Sequence, residues 1–344
     1  MRTSWAHYCV PKFNGFCSFL VNPLFIYLIF DDTKLMLGNY RWLLLFFAIF
    51  NMTCSVADML VPVCVHNYRH AHAVFISGGP FENYSELNQL LLAVRCGFIG
   101  TTYGILHAHF AYRFLVLFRN KQLSNYFIPY GLLITIFYCL FHLSFWTITC
   151  YFYIGADLER KIYMQDPIMD IYDVESAKIN MIVALYKDGS EIAIRKSITG
   201  IIANTILSVA SVLIYTIIGF LIIRKLRSNT LLMSKKTKRL QDQLMRALIV
   251  QSVIPSFVSF APTMASWYEP IIGFHLGRAV YYTASVLVST FPFFDPTAII
   301  FFIPSFRAKC INFGKNLITL GKAGKKSKGN NTAQVISRNR LQLS

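Results

Sequence analysis

Charge is what this sequence has least of. Asp, Glu, Lys and Arg together make up 14% of its 344 residues, against about 25% in an ordinary soluble domain. That deficit excludes a fully solvated surface, and the 55% hydrophobic content, with 30 Phe and 19 Tyr, assigns the missing surface to lipid. Paired cysteines are lacking too. The eight cysteines are scattered singly with no C-x-x-C, which argues against a zinc ribbon or a small disulfide scaffold. No P-loop, Gly-rich dinucleotide fingerprint or Ser–His–Asp order appears, so the reading is of a non-enzyme with no cofactor. Carboxylates number half the basic residues, leaving a net charge of +17. Such an excess invites a nucleic-acid reading, but its placement excludes one.

What is present is a series of long apolar runs. A membrane-spanning helix needs roughly 20 mostly apolar residues, and seven stretches qualify: about 13–30, 42–65, 90–112, 127–150, 197–223, 247–268 and 279–302. The pattern predicts an all-α membrane protein, a bundle of seven transmembrane helices. Pro23, Pro62, Pro255, Pro262, Pro292 and Pro296 fall within these spans, where proline kinks a membrane helix rather than ending it. With the amino terminus outside, the loops 31–41, 113–125 and 224–246 and the tail from 303 lie inside. They hold 22 of the 33 Lys and Arg against three carboxylates. The outer segments balance at 11 and 11, so the positive-inside rule selects this orientation and a cytoplasmic carboxyl terminus. Residues 1–12 then form an outer amino terminus, 13–310 the bundle, and 311–344 a basic tail expected to be disordered. The basic excess is thereby explained by anionic inner-leaflet lipid.

Helix rise, 1.5 Å per residue, sets the depth of the few polar residues inside spans. Asp58 lies seventeen residues from Arg41 and Arg95 eighteen from Arg113, so both sit about 26 Å from the inner face. A carboxylate and a guanidinium at equal depth would offset each other's burial cost. Asn51 and Asp295 both lie in the inner half and form a second candidate polar pair between spans two and seven. The outer halves of spans three, six and seven offer Thr101, Thr102 and Tyr103, then Ser259, Thr263 and Trp267, then Tyr281, Tyr282 and Ser285. Pockets between bundle helices are mostly apolar with a few placed polar groups, so these nine are candidate ligand contacts, with ordinary interhelical packing as the competing reading. Asn83-Tyr84-Ser85 is a glycosylation acceptor on the outer side. Cys96 and Cys150 are candidates for a bridge between span three and the long outer loop 151–196, which is expected to fold over the mouth of the bundle. His66-x-x-x-His70-x-His72 and His107-x-His109 have metal-box spacing, but lie a membrane thickness apart, so a histidine-box enzyme is the weaker reading.

Several short motifs occur in order: Gly38-Asn39-Tyr40-Arg41, Asp58-x-x-x-Pro62-x-x-x-His66-x-Tyr68, His109-Phe110-Ala111-Tyr112-Arg113-Phe114, Gln251-x-x-x-Pro255, and Pro292-x-x-Asp295-Pro296 with Phe306-Arg307. Together they resemble the nematode seven-transmembrane serpentine chemoreceptors of the Str class. That resemblance, over about residues 13–310, implies a chemosensory, olfactory G-protein-coupled receptor in the plasma membrane of sensory-neuron cilia. It also implies a small external odorant bound in the outer half and a heterotrimeric G protein as partner. Tyr112, Arg113, Asp295, Pro296 and Arg307 would then form the switch and the G-protein face. The sequence departs from the acidic-Arg-Tyr switch of rhodopsin-like receptors, since Tyr112 stands where an acid would precede Arg113. The rival within membrane proteins is a ligand-gated channel or transporter, and no internal repeat of the kind transporters show is found.

Overall fold

The computed structural model describes residues 5–31, 37–118, 127–228, 235–273, 277, 286–313 and 315. Its long helices follow the apolar runs. They are α1 (Trp5–Asp31), α2 (Tyr40–Leu60), α3 (Glu86–Phe118), α4 (Leu132–Ile148, with a π turn at each end) and α7 (Glu191–Arg227). The sixth span is α8 (Lys235–Pro255), a π turn (Ser256–Phe260) and α9 (Ala261–Ile272) in one continuous rod. The described part of the seventh contains α10 (Phe291–Phe302). Five of these helices are long and apolar enough to cross a membrane by length and composition.

The helices are built inside out relative to those of a soluble protein. On α7 the buried stripe is Ser197, Asn204, Ser208, Ser211, Tyr215 and Gly219, repeating at helical period. Its exposed face carries Ile206, Leu213, Ile217 and Phe220, and α4 likewise exposes Ile134, Phe137 and Phe141. Apolar-out and small-polar-in is the arrangement lipid demands, because there the driving force for association is close packing and interhelical hydrogen bonding. Gly97, Gly100 and Gly104 supply that closeness on α3. A Cβ on Gly100 would overlap the Trp146 indole of α4, and one on Gly97 would overlap Leu143 and Thr147.

Two boundaries depart from expectation. The second span was expected to reach residue 65, but α2 stops at Leu60 and Pro62 lies beyond it. Val61 has left helical geometry (φ −126°, ψ 67°), as steric pressure from a following proline favours. The chain then enters β1 (Val63–Tyr68), turns at Arg69–His70, and returns as β2 (Ala71–Ile76). The segment 224–246 was expected to be a loop. Instead α7 continues to Arg227 and α8 begins at Lys235, since Lys, Arg, Leu and Gln are good helix formers beyond the apolar limit.

The outer segment 151–196 carries α5 (Leu158–Tyr163), α6 (Gln165–Tyr172) and β3 (Met181–Leu185). Strand β3 pairs antiparallel with β2 to give a three-stranded sheet in the order β1-β2-β3. One face of this sheet, including Cys64, Ala73, Phe75, Met181 and Val183, packs on Met164, Ile168 and Tyr172 in a separate small core. Buried Arg160 nails the cap down: its guanidinium donates to the carbonyls of Gly155 (2.8 Å), Tyr153 (3.1 Å) and Ala193 (2.9 Å) and to Ser197 Oγ (3.1 Å). The amide of Gln89 on α3 pairs with both backbone groups of Met181. Gly100→Val tests the glycine seam: overpacking of about 1–3 kcal/mol should lower the thermal midpoint of the detergent-solubilised protein, while lipid-facing Ile206→Ala should leave it nearly unchanged.

Candidate functional site

The sheet roofs the bundle, and the strand period decides what faces inward. Register pairs Val65 with Val74 and Val74 with Ile182, while Asn67 pairs with His72. These residues share one face because alternate side chains point the same way. Below that face is a cavity of about 730 Å³, counting its open mouth, lined by Val63, Val65, His72, Val74 and Ile182 from the roof. Its walls are Arg95, Cys96 and Ile99 of α3, Trp146 and Cys150 of span four, Ile154, Thr263, Ser266 and Trp267 of α9, and Val288. A second space of about 460 Å³ lies deeper, between Cys54, Asp58, Phe98, Thr102, Tyr103, Pro255, Phe291 and Pro292, and shares Arg95, Ile99 and Val288 with the first.

Arg95 therefore separates two apolar spaces, and its charge is met by Asp58 of α2 in a buried ion pair. In an apolar slab a lone guanidinium is expensive, and a partner at the same depth is the cheapest remedy. The roof is fastened to α9 by Asn67 Nδ2, which donates to the Ser266 carbonyl (2.7 Å) and to Glu269 Oε2 (3.0 Å). Tyr186 adds its hydroxyl to the Trp267 carbonyl at 2.8 Å.

The sequence-derived contacts divide between these spaces. Thr263 and Trp267 line the upper cavity; Thr102 and Tyr103 line the deeper one. Thr101 is buried with its hydroxyl on the Gly97 carbonyl and is in neither lining. Tyr281, Tyr282, Ser285 and the side chain of Ser259 lie outside the described residues. The roof residues and Trp146 were missed, because Val61 to Val65 read as the end of an apolar helix. The signal that was available is the β-branched alternation of Val63 and Val65 followed by a short polar turn. Cys96 and Cys150, candidates for a bridge, stand as free thiols in contact with each other. His66 and His72 lie on opposite faces of the hairpin, since their register positions differ by an odd step, so they do not converge on one point.

The opposite end of α3 is organised around Arg113, also buried. With no neighbouring acid, Arg113 Nη1 donates to Gln241 Oε1 of α8 at 2.8 Å, and the guanidinium lies 3.8 Å over the Tyr40 ring. Tyr40 in turn stacks on Tyr112 and hydrogen-bonds His109 Nδ1 at 2.8 Å. A cation over an aromatic face is attracted by the ring quadrupole, so Tyr40 and Gln241 stand where a carboxylate would, with Nε and Nη2 of Arg113 lacking a hydrogen-bond partner among the described residues. Closer to the middle of the bundle, Asn51 and Gln251 both face the buried Asp295 carboxylate, beside Pro296 of α10. Arg307 lies at the basic end with its guanidinium 5.7 Å from the Phe301 ring centroid. Lys309 reaches Asp31 of α1 at 2.5 Å nearby. Asn83 is exposed on the sheet-capped side of the bundle.

Residues 1–310 match the family model described as serpentine type 7TM GPCR chemoreceptor Srj. The chain is 36% identical over 322 residues to Serpentine receptor class J-38 of Caenorhabditis elegans, covering 93% of this chain and 96% of that one. It is 25% identical to G-protein coupled receptor str-33 of the same organism, over 83% and 84% of the two chains. Among solved structures it is similar to squid rhodopsin, with a TM-score of 0.58 at 14% identity, covering 93% and 89%; that likeness concerns the fold. The Arg113 contacts can be tested without reference to any of these proteins. Gln241→Leu removes the hydrogen bond that ties α8 to Arg113, so the spin-label distance between the basic ends of α3 and α8 should broaden and lengthen. An unchanged distribution would mean that Gln241 does not hold the two helices together.

Proposed function

The chain belongs to the Srj family of serpentine seven-transmembrane chemoreceptors, and from that premise we propose how its parts serve reception. It is a chemosensory G-protein-coupled receptor and a multi-pass membrane protein. The Srj assignment refines the Str-class resemblance to a neighbouring class, and Str-type relatives match at lower identity. In the proposed reading a small odorant occupies the roofed cavity, and a heterotrimeric G protein docks on the basic end. The amino terminus is outside, residues 13–310 form the receptor domain, and the basic tail from 311 is cytoplasmic. The ciliary membrane of sensory neurons is the proposed site of action.

The observation that carries the ligand site is the roofed, mostly apolar cavity with few polar groups between the sheet and spans three, four and six, the make-up of a small-molecule pocket. Trp267, in its wall, belongs to the same helical rod as Gln241, with Pro255 and the π turn between them. π turns and prolines are the places where a helix bends. A ligand that favours one position of Trp267 over another shifts the population of bent and straight rods. At the far end of that rod, the shift makes or breaks the Gln241 contact to Arg113. Arg113, once released from Gln241, is free to meet the G protein, with Tyr112, Asp295, Pro296 and Arg307 completing the switch region. The deeper pair of Asn51 and Asp295 supplies a second packing that can differ between the two states. The channel or transporter alternative has no supporting feature in the described bundle comparable to this linkage.

Arg113→Ala should reach the cell surface at wild-type level and lose agonist-evoked G-protein activation; full signalling by a well-expressed mutant removes Arg113 from the mechanism. Orientation is tested at Asn83, which should acquire glycan in microsome-coupled translation. Its exposure to a cytoplasmic labelling reagent instead would reverse the topology.

A further inference from the structure

The roof holds one polar atom that the fold leaves unused, and its chemistry can be deduced from its neighbours. Asn67 donates both of its observed amide hydrogen bonds, to the Ser266 carbonyl and the Glu269 carboxylate. Both partners are acceptors there, which fixes the amide so that Oδ1 faces His72. His72 Nδ1 lies 2.8 Å from that oxygen, so Nδ1 must carry the proton. A neutral imidazole has only one N–H, and burial keeps this ring neutral by holding its pKa down at about 3. Nε2 is therefore a bare acceptor, and it has no hydrogen-bond partner. The Ser266 carbonyl accepts from Asn67 and also interacts with the ring; with Nε2 unpartnered, that second contact belongs to the Nδ1–H. His72 lines the upper cavity among Val63, Val65, Val74 and Ile182, where a polar atom without a partner is costly.

We propose that His72 is the ligand-reading residue of this receptor. The ligand is a small, mostly apolar molecule bearing one O–H or N–H donor, an alcohol or phenol, which hydrogen-bonds to Nε2. This inference rests on the roofed cavity being the ligand site. Arg95 is paired with Asp58, and Ser266 Oγ donates to the Thr263 carbonyl. Arg95 Nε and Trp146 Nε1 of the same lining also lack partners among the described residues, but both are donors, so His72 Nε2 is the bare acceptor that a ligand donor can meet. A site built to meet a hydroxyl rejects the analogue that lacks it, because its own polar group is then left unpaired. Chain length would be read by the apolar walls, and the donor by His72.

The test uses purified full-length receptor in nanodiscs, with binding read from quenching of intrinsic tryptophan fluorescence. The probes are n-alkanols of four to ten carbons and simple phenols, each with its methyl ether and a ketone of equal size. At the best chain length the alcohol should bind at least about tenfold more tightly than its ether, the equivalent of 1.4 kcal/mol. His72→Phe should bring the alcohol to the level of the ether without weakening the ether. His72→Gln, which keeps an acceptor, should restore part of the preference, and this variant decides the matter where His72→Phe does not fold. Ethers or ketones that bind as well as alcohols, no binding by any probe, or an equal loss for all probes in His72→Phe would overturn it. Binding is measured without a G protein, so a receptor that discriminates donors yet activates none contradicts the coupling mechanism and leaves this inference standing.

Discussion

A guanidinium buried among apolar helices must be paired, and Arg95 is paired with Asp58. Much else follows from that contact. It fixes the depth at which α2 meets α3, and it divides the space beneath the roof into an upper and a deeper part. Stripping one partner of a buried pair costs about 3–5 kcal/mol, because the survivor is left as an uncompensated charge. A well-packed apolar pair would hold two helices as firmly. The ion pair differs in specifying one register between them, and so it sets where the cavity floor lies.

The roof and the switch end are both built on that register. Helix α3 presents Gln89 to strand β3, Arg95 to the cavities and Arg113 to the basic end. Eighteen residues separate the two arginines, about 27 Å along a helix, so what is fixed at one end is aligned at the other. The sixth span is the complementary part. It touches the cavity through Trp267, carries a π turn midway, and ends on the Gln241 contact. One helix held in register beside one helix able to bend is a two-state element of the kind a ligand can bias.

How much of this was legible before the structure depended on which periodicity was in play. The spans could be read because lipid imposes long apolar runs, and the Asp58–Arg95 contact because helix rise converts residue number into depth. The same arithmetic assigns Asn51 and Asp295 to the inner half as a candidate pair. The sheet could not be read: Val61 to Val65 prolongs an apolar helix smoothly, and pairing with β3 depends on a partner more than a hundred residues away. In the sequence Arg160 is one basic residue among the eleven of the outer segments, yet it is buried against three carbonyls. Gln241 is one polar residue among many in a basic segment, and only the approach of α8 to α3 singles it out. Departure from the acidic-Arg pattern was visible at Tyr112, but the replacement by Tyr40 and Gln241 was not.

Charge reversal across the Asp58–Arg95 pair tests the central claim most directly, with thermal midpoint and surface expression read together. Asp58→Asn and Arg95→Met alone should each lower both sharply. The double replacement Asp58→Arg with Arg95→Asp should recover more than half of the lost midpoint, since the pair is rebuilt at the same depth. Single mutants as stable as the wild type, or a double mutant no better than either single, would contradict a bundle organised around this contact.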